Sequence, residues 1–242
     1  MPALVASIGT THPRNVAGLG LDARIAADYG LRHAIALAAV SAQDEHGVHD
    51  LFAIPPGVLR AQLAAIPFSE VAAVRVGALG SLENAQIAAE FLQAHCSAPA
   101  VFDPVMRASA GGSLYAGDAL EAVRAFALRA GAILTPNLEE ASQLTQIEIR
   151  DVDGMIAAGR QLLELGARAV LVKGGHLAGD PVDVLVTREG AQTFSDTRLP
   201  GKTRGTGCTL AMGVACELAR GENLLQAVRG ARAYVRANIA RP

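Results

Sequence analysis

Short apolar runs alternate with segments in which apolar residues recur every three or four positions, almost from one end of the chain to the other. Residues 3–8, 34–40, 71–76, 100–102, 132–134 and 169–172 form short, largely apolar runs, often β-branched. Such runs predict strands covered on both faces, as in a parallel sheet. Residues 19–29, 82–95, 118–129 and 151–165 carry the helical spacing between them. The alternation predicts right-handed βαβ units, hence an α/β fold with a mostly parallel central sheet and helices on both faces, three layers in all. Past residue 181 the pattern changes. Residues 182–187 and 192–199 read as an antiparallel pair around Glu189-Gly190, and two helices are predicted from near Gly205 and near Asn223.

The length of 242 residues, without internal repeat or linker, fits one domain spanning 1–242. Hydrophobic residues make up 51% of the chain but aromatics only 4%, so small aliphatic side chains must fill the core. The formal charge is −2 and no long run of Lys and Arg occurs, which argues against nucleic acid or an anionic membrane as a partner. No apolar stretch reaches the roughly 18 residues that a membrane helix needs. The start of the chain has no basic segment followed by a long apolar run, so a cytoplasmic protein without a leader is expected. Cys96, Cys208 and Cys216 lack metal-ligand spacing and read as free thiols of a reducing compartment.

In open α/β sheets ligands bind beyond the carboxyl ends of the strands. Glycine and polar residues fall there repeatedly: Gly9, Gln43, Gly77, Asp103, Asn137 and Lys173-Gly174-Gly175. The sharpest segment is Thr203-Arg204-Gly205-Thr206-Gly207-Cys208-Thr209-Leu210, running from a loop into a helix. Free amides at a helix start, approached closely across glycine, make an anion site; an ordinary glycine-rich turn is the bland alternative. Asn137 and Glu140 have capping-box spacing, and the same oxygens suit the waters of Mg²⁺. Lys173 either snorkels to solvent or neutralises a phosphate. Asp103 is a turn residue or a carboxylate near a metal. Asp22 is a solvated helix charge or, with Gln43, part of an acceptor pocket reading an aminopyrimidine edge. The six histidines form no metal-site pattern.

Taken together, Gly205-Thr206-Gly207-Cys208-Thr209-Leu210, Val172-Lys173-Gly174-Gly175-His176, Thr135-Pro136-Asn137-Leu138-Glu139-Glu140 and Asp103-Pro104-Val105-Met106 resemble the hydroxymethylpyrimidine/phosphomethylpyrimidine kinase family. The resemblance runs in order from Gly9 to the last helix. It implies a ribokinase-like fold, ATP and Mg²⁺, a small pyrimidine substrate in thiamin biosynthesis, and a homodimer. Carried over, Gly205, Thr206, Gly207 and Cys208 would form the anion hole, and Lys173 would bind phosphate. Asn137, Glu140 and Thr206 would organise Mg²⁺–ATP, with Asp103 and Glu140 nearest the metal. Gly9, Ala17, Gly18, Asp22, Gln43, Gly77 and Arg204 would surround the acceptor.

Three departures fall on the acceptor side. The family's Asp-Pro-Ser-Gly-Gly run is His12-Pro13-Arg14-Asn15-Val16 here, its His before Gly-Thr-Gly-Cys is Arg204, and its Met after the third-strand Gly is Ala78. The family phosphorylates an alcohol and then the resulting monophosphate. The first step calls for a base, and a thiol at a helix N-terminus, as at Cys208, can be lowered towards the thiolate. The second meets an acceptor already largely dianionic, so its obstacle is charge repulsion. Arg14 and Arg204 favour the second step. A kinase for another small acceptor such as pyridoxal, a non-catalytic pyrimidine-binding or regulatory protein, and a phosphatase-like role are the competing readings.

Overall fold

The structure, a computed structural model, describes residues 1–175, 179–199 and 204–239; His176 and Thr203 of the motifs above lie outside these. In chain order it runs β1 (Leu4–Thr10), α1 (Gly18–Asp28), β2 (Arg32–Gln43), β3 (Val48–Ala53), α2 (Pro56–Ala65), β4 (Val71–Val76), α3 (Leu82–His95) and β5 (Ala100–Phe102). It continues α4 (Ala119–Ala130), β6 (Ile133–Leu134), α5 (Leu138–Thr145), α6 (Val152–Glu164), β7 (Ala169–Lys173), β8 (Val182–Thr187), β9 (Gly190–Ser195), α7 (Thr206–Ala219) and α8 (Leu224–Ile239). The strands form one sheet in the order β3-β2-β1-β4-β5-β6-β7-β8-β9. From β2 to β7 every neighbouring pair is parallel, while β3, β8 and β9 are added antiparallel at the two edges.

The period-2 alternation of the strands sorts their side chains between two apolar layers. Leu4, Ala6, Ile8, Val74, Val76 and Phe102 pack with Leu59 and Leu63 of α2 and with the buried faces of α3, α4 and α6. Val5, Ala73, Val101, Ile133 and Leu171 point the other way, onto α1, α7 and α8. The helix starts follow local chemistry: Ser81, Asp118 and Asp151 each accept a backbone N–H of the first turn. β3 and α2 were not expected. Residues 48–53 carry His49 and Asp50, which an edge strand tolerates because one of its sides faces solvent, so no apolar run announces it. α2 starts on Pro56 and buries only Leu59 and Leu63 along its length, a two-residue stripe too thin to stand out.

β1 lies between β2 and β4, so the chain winds outward to one edge, returns across β1 and continues to the other. That reversal opens a crevice at the carboxyl ends of β1 and β4, where Gly9 and Gly77 stand. Among the described residues no helix is long and apolar enough to cross a membrane.

Candidate active site

Four strand ends and one helix start converge on the crevice. Lys173 closes β7, and its N–H donates to the Pro136 carbonyl (2.8 Å), setting Asn137 beside it as an isolated bridge. Its ammonium donates to Asp103 Oδ1 at 2.9 Å. Asp103 follows β5 directly and is fully buried. Thr135 Oγ1 also donates to Asp103 Oδ1 (3.4 Å), and Arg75 Nη2 reaches its Oδ2 (3.3 Å). The other arm of the Arg75 guanidinium donates to Asp22 Oδ2 at 3.1 Å. Burial works against the charges of Lys173 and Asp103. Their mutual attraction, joined by that of Glu140 beside the lysine and Arg75 beside the aspartate, outweighs it, holding the ammonium above and the carboxylate below its ordinary range.

The start of α7 faces this pair. Gly205 is the N-cap residue and adopts φ 75°, and its carbonyl takes the first helical bond, from Thr209 N (2.7 Å). The amides of Thr206, Gly207 and Cys208 therefore precede the helical ladder and are free for an anion. A Cβ on Gly205 would strike the Val16 carbonyl, and one on Gly207 would sit 3.1 Å from Lys173 Nζ. The loop has no room for side chains on its inner side. Only the backbone can meet a ligand there, with Lys173 opposite.

Asn137 and Glu140 form a complete capping box on α5: Glu140 N donates to Asn137 Oδ1 (2.9 Å) and Asn137 N to Glu140 Oε2 (2.8 Å). Burial raises Glu140 to about 7 against the pull of Lys173. Among the described residues its second oxygen meets no hydrogen-bond partner, and it suits a water of a hydrated Mg²⁺, which needs few protein ligands. Asp103 is less available, since both its oxygens already face cations. Among the described residues no three His, Cys, Asp or Glu side chains cluster to hold a bare metal ion.

The acceptor side holds two corrections. Asp22 is not a solvated helix charge: it is 0% exposed, with Oδ2 paired to Arg75 and Oδ1, among the described residues, without a hydrogen-bond partner. The Cys208 thiol is not lowered by its helix start; burial pushes it up, with Arg75 opposing and Asp103 and Asp22 adding to the rise. Gln43 ends β2 with its amide nitrogen donating to Ser41 Oγ (2.7 Å). Ala17 is the N-cap residue of α1. Gly18 follows at φ 63°, tucked against the Thr10 carbonyl. Arg204 donates to the Asp44 and Glu45 carbonyls (3.1 Å each), while Arg14 pairs with Glu45 Oε2 (3.2 Å). Both arginines thus grip the hairpin between β2 and β3. His12, buried beside them, is held below its ordinary range by burial and by the charges of Arg204 and Arg14.

The chain that carries this crevice has known relatives. The family described as Phosphomethylpyrimidine kinase matches residues 13–242. The chain belongs to this family. The hydroxymethylpyrimidine/phosphomethylpyrimidine kinase of Streptomyces coelicolor is 39% identical over 97% of this chain and 87% of its own. The enzyme of that name from Salmonella typhimurium is 37% identical over 97% of this chain and 90% of its own. Among solved structures, the phosphomethylpyrimidine kinase of Clostridium difficile superposes with a TM-score of 0.84 at 28% identity, covering 98% of this chain and 99% of that one. The pyridoxal kinase of Staphylococcus aureus, solved with AMP-PCP and pyridoxal, gives 0.86 at 26% identity, covering 99% and 88%. The ribokinase-like architecture and the kinase class expected for this chain are thereby established.

Sequence reasoning passed over Arg75, which sits inside the run 71–76 and was absorbed into a buried strand. One signal pointed to it: a full charge in an otherwise aliphatic strand must find buried partners. It also passed over Asp183 and Arg232. Asp183 Oδ1 accepts the Gly174 N–H (3.0 Å), and its other oxygen pairs with Arg232 of α8. Beside Arg232 a cleft of about 570 Å³ opens between β9 and α8, lined by Phe194, Asp196, Arg229, Arg232 and Arg236 among others.

Proposed function

We propose that this kinase transfers the terminal phosphoryl group of ATP to hydroxymethylpyrimidine phosphate, giving the diphosphate, and also accepts free hydroxymethylpyrimidine. The observation that carries the reading is Lys173, fixed by Asp103 and facing the free amides of Gly205–Cys208. The nucleoside would lie towards the cleft between β9 and α8, whose Arg232 is one bond from the Asp183 that holds the Gly174 amide. Glu140 and Asn137 would hold a hydrated Mg²⁺, which would supply positive charge to offset that of the phosphates.

The acceptor oxygen forms a bond to the γ-phosphorus as the bond to the β,γ-bridging oxygen breaks. Lys173 and the amides of Thr206, Gly207 and Cys208 stabilise charge on the transferring group. With the monophosphate as acceptor, the attacking oxygen carries no proton to remove near neutral pH. A protonated Cys208 is then no obstacle, and its raised thiol favours this step over attack by the alcohol. The remaining difficulty is repulsion between two anions, and Arg14, Arg204 and the α7 start supply positive charge on that side. Val40 and Phe52, opposite each other on β2 and β3, are exposed apolar residues at the β3 edge of the sheet, which supports a homodimer. A cytoplasmic setting agrees with three free thiols.

The decisive experiment follows ADP release with Mg²⁺–ATP and hydroxymethylpyrimidine, its phosphate or pyridoxal as acceptor. Turnover is expected on the phosphate first. Turnover on pyridoxal alone would favour the second reading, which the similarity to pyridoxal kinases supports. Binding of ATP with silence on all three would overturn both.

A further inference from the structure

Arg75 is 1% exposed, yet it lies below the catalytic crevice and not in a remote core. β4 turns Val74 and Val76 to one layer and Arg75 to the other, the side of α1 and α7. Its guanidinium occupies space kept open by glycine: a Cβ on Gly77 would collide with it, and one on Gly9 would come within 3.7 Å of Nη1. The two arms diverge, one to Asp22 in α1 and the other to Asp103 behind β5 (3.1 and 3.3 Å). Among the described residues the Nε–H makes no hydrogen bond, and the guanidinium faces the Cys208 thiol as well as its two carboxylates.

A cation needed only to neutralise Asp22 would have no reason to span two elements. We infer that Arg75 is a positioning residue for phosphoryl transfer, a rigid buried fork that fixes Asp103, and through it Lys173, relative to α1 and the acceptor. The chain of contacts is continuous: Asp22 to Arg75 to Asp103 to Lys173 Nζ. Asp22 lies one turn into α1, whose first residue, Gly18, is hydrogen-bonded to the Cys208 thiol. One guanidinium thus ties together the element that frames the acceptor and the ammonium that faces the phosphate. A lysine at 75 would carry the same charge but not the planar fork, so it could satisfy one carboxylate at a time.

The inference rests on phosphoryl transfer at this crevice, and its test is arranged to separate the two. Arg75→Lys preserves the buried charge and is expected to stay folded. Its kcat should fall by about 10- to 100-fold, the scale of a small misplacement of a reacting group, while the KM for ATP stays close to parental. Arg75→Met leaves two carboxylates facing one cation fewer and is expected to unfold, so the companion is Arg75→Met with Asp22→Asn. This pair removes both ends of the acceptor-side ion pair while leaving Asp103 on Lys173. If Arg75 served only to neutralise Asp22, the double variant would regain parental kcat. Parental kcat in either Arg75→Lys or the double variant overturns the inference. Should the parent bind ATP without turnover on any acceptor, the functional reading fails, and Arg75 is then judged on the ¹⁵N signal of the Lys173 ammonium. In the parent its protons should be protected by Asp103. Equal protection in Arg75→Lys overturns the inference, and its loss supports it.

Discussion

Gly207→Ala separates the anion cradle from the fold that carries it. Gly207 is the second residue of α7 and has no positive φ, so alanine fits its backbone without strain. Replacing glycine at a compatible helical position stabilises by about 0.4–1 kcal/mol, through the unfolded chain. The new methyl would stand 3.1 Å from Lys173 Nζ and 3.9 Å from Asp103 Oδ2. The ammonium is the far end of a flexible side chain and can retreat by a few tenths of an ångström at little cost to folding. The phosphate has no such freedom, because the methyl occupies the space through which it reaches the α7 amides. Losing one such donor costs roughly 2.7–4 kcal/mol of transition-state stabilisation, or about 10²–10³ in kcat. The lower end is expected here, since Lys173 is displaced and not lost. The assay pairs ADP release on the monophosphate with thermal unfolding. Expected is a melting temperature at or above the parent's, with kcat down about 100-fold. Parental kcat would refute the cradle, and a fall in activity matched by a fall in stability would refute the separation. Gly205→Ala is the control. At φ 75° and against the Val16 carbonyl, it should cost at least about 1–2 kcal/mol of stability as well as activity.

Three further outcomes follow from the buried charges. Burial lifts the Glu140 pKa from 4.5 to about 7, so its proton is bound more tightly in the folded protein than in the unfolded one. That contribution is fully present below pH 4.5 and lost as pH rises through about 7, a change of about 3 kcal/mol. Metal-free Glu140→Gln should therefore gain stability over the parent progressively between pH 4.5 and about 8 in denaturant titrations; a constant difference would count against the raised pKa. Asp22→Ala leaves one arm of the Arg75 guanidinium unpaired while Asp103 keeps the other, and should cost about 1–3 kcal/mol, read as a lowered denaturation midpoint; a stable variant with only a weakened pyrimidine KM would make Asp22 a ligand contact. Cys208→Ser should keep near-parental turnover on the monophosphate, and a large loss there would make the thiol an obligatory group.

Where a local rule and the tertiary fold agreed, the sequence was readable. Residues 71–76 and 82–95 appear as β4 and α3 with the expected ends, because aliphatic runs and a Ser81 cap decide those segments locally. Asn137 and Glu140 were legible as a capping box, and the box is complete. The edge strand β3 was hidden because its exposed side needs no apolar residue. Asp22 was misjudged for a deeper reason: helical position alone says nothing of a cation supplied by residue 75, far away in sequence. The same applies to Cys208. A helix start lowers a thiol where solvent or cations dominate, but here burial comes first, and two buried carboxylates add to it. Position along the chain brought Asp103, Lys173 and the α7 start to one crevice, while burial and the buried partners together set how each is charged.

Arg204 holds the hairpin tip by two main-chain carbonyls, at Asp44 and Glu45, and not by side chains. A latch that grips backbone is blind to the residues it grips. Substitution along 44–47 can therefore reshape the rim of the proposed acceptor side without unfastening it, provided the turn keeps its path. Redesign for a different acceptor has its natural starting place there, with the phosphate machinery of α7 carried along unchanged.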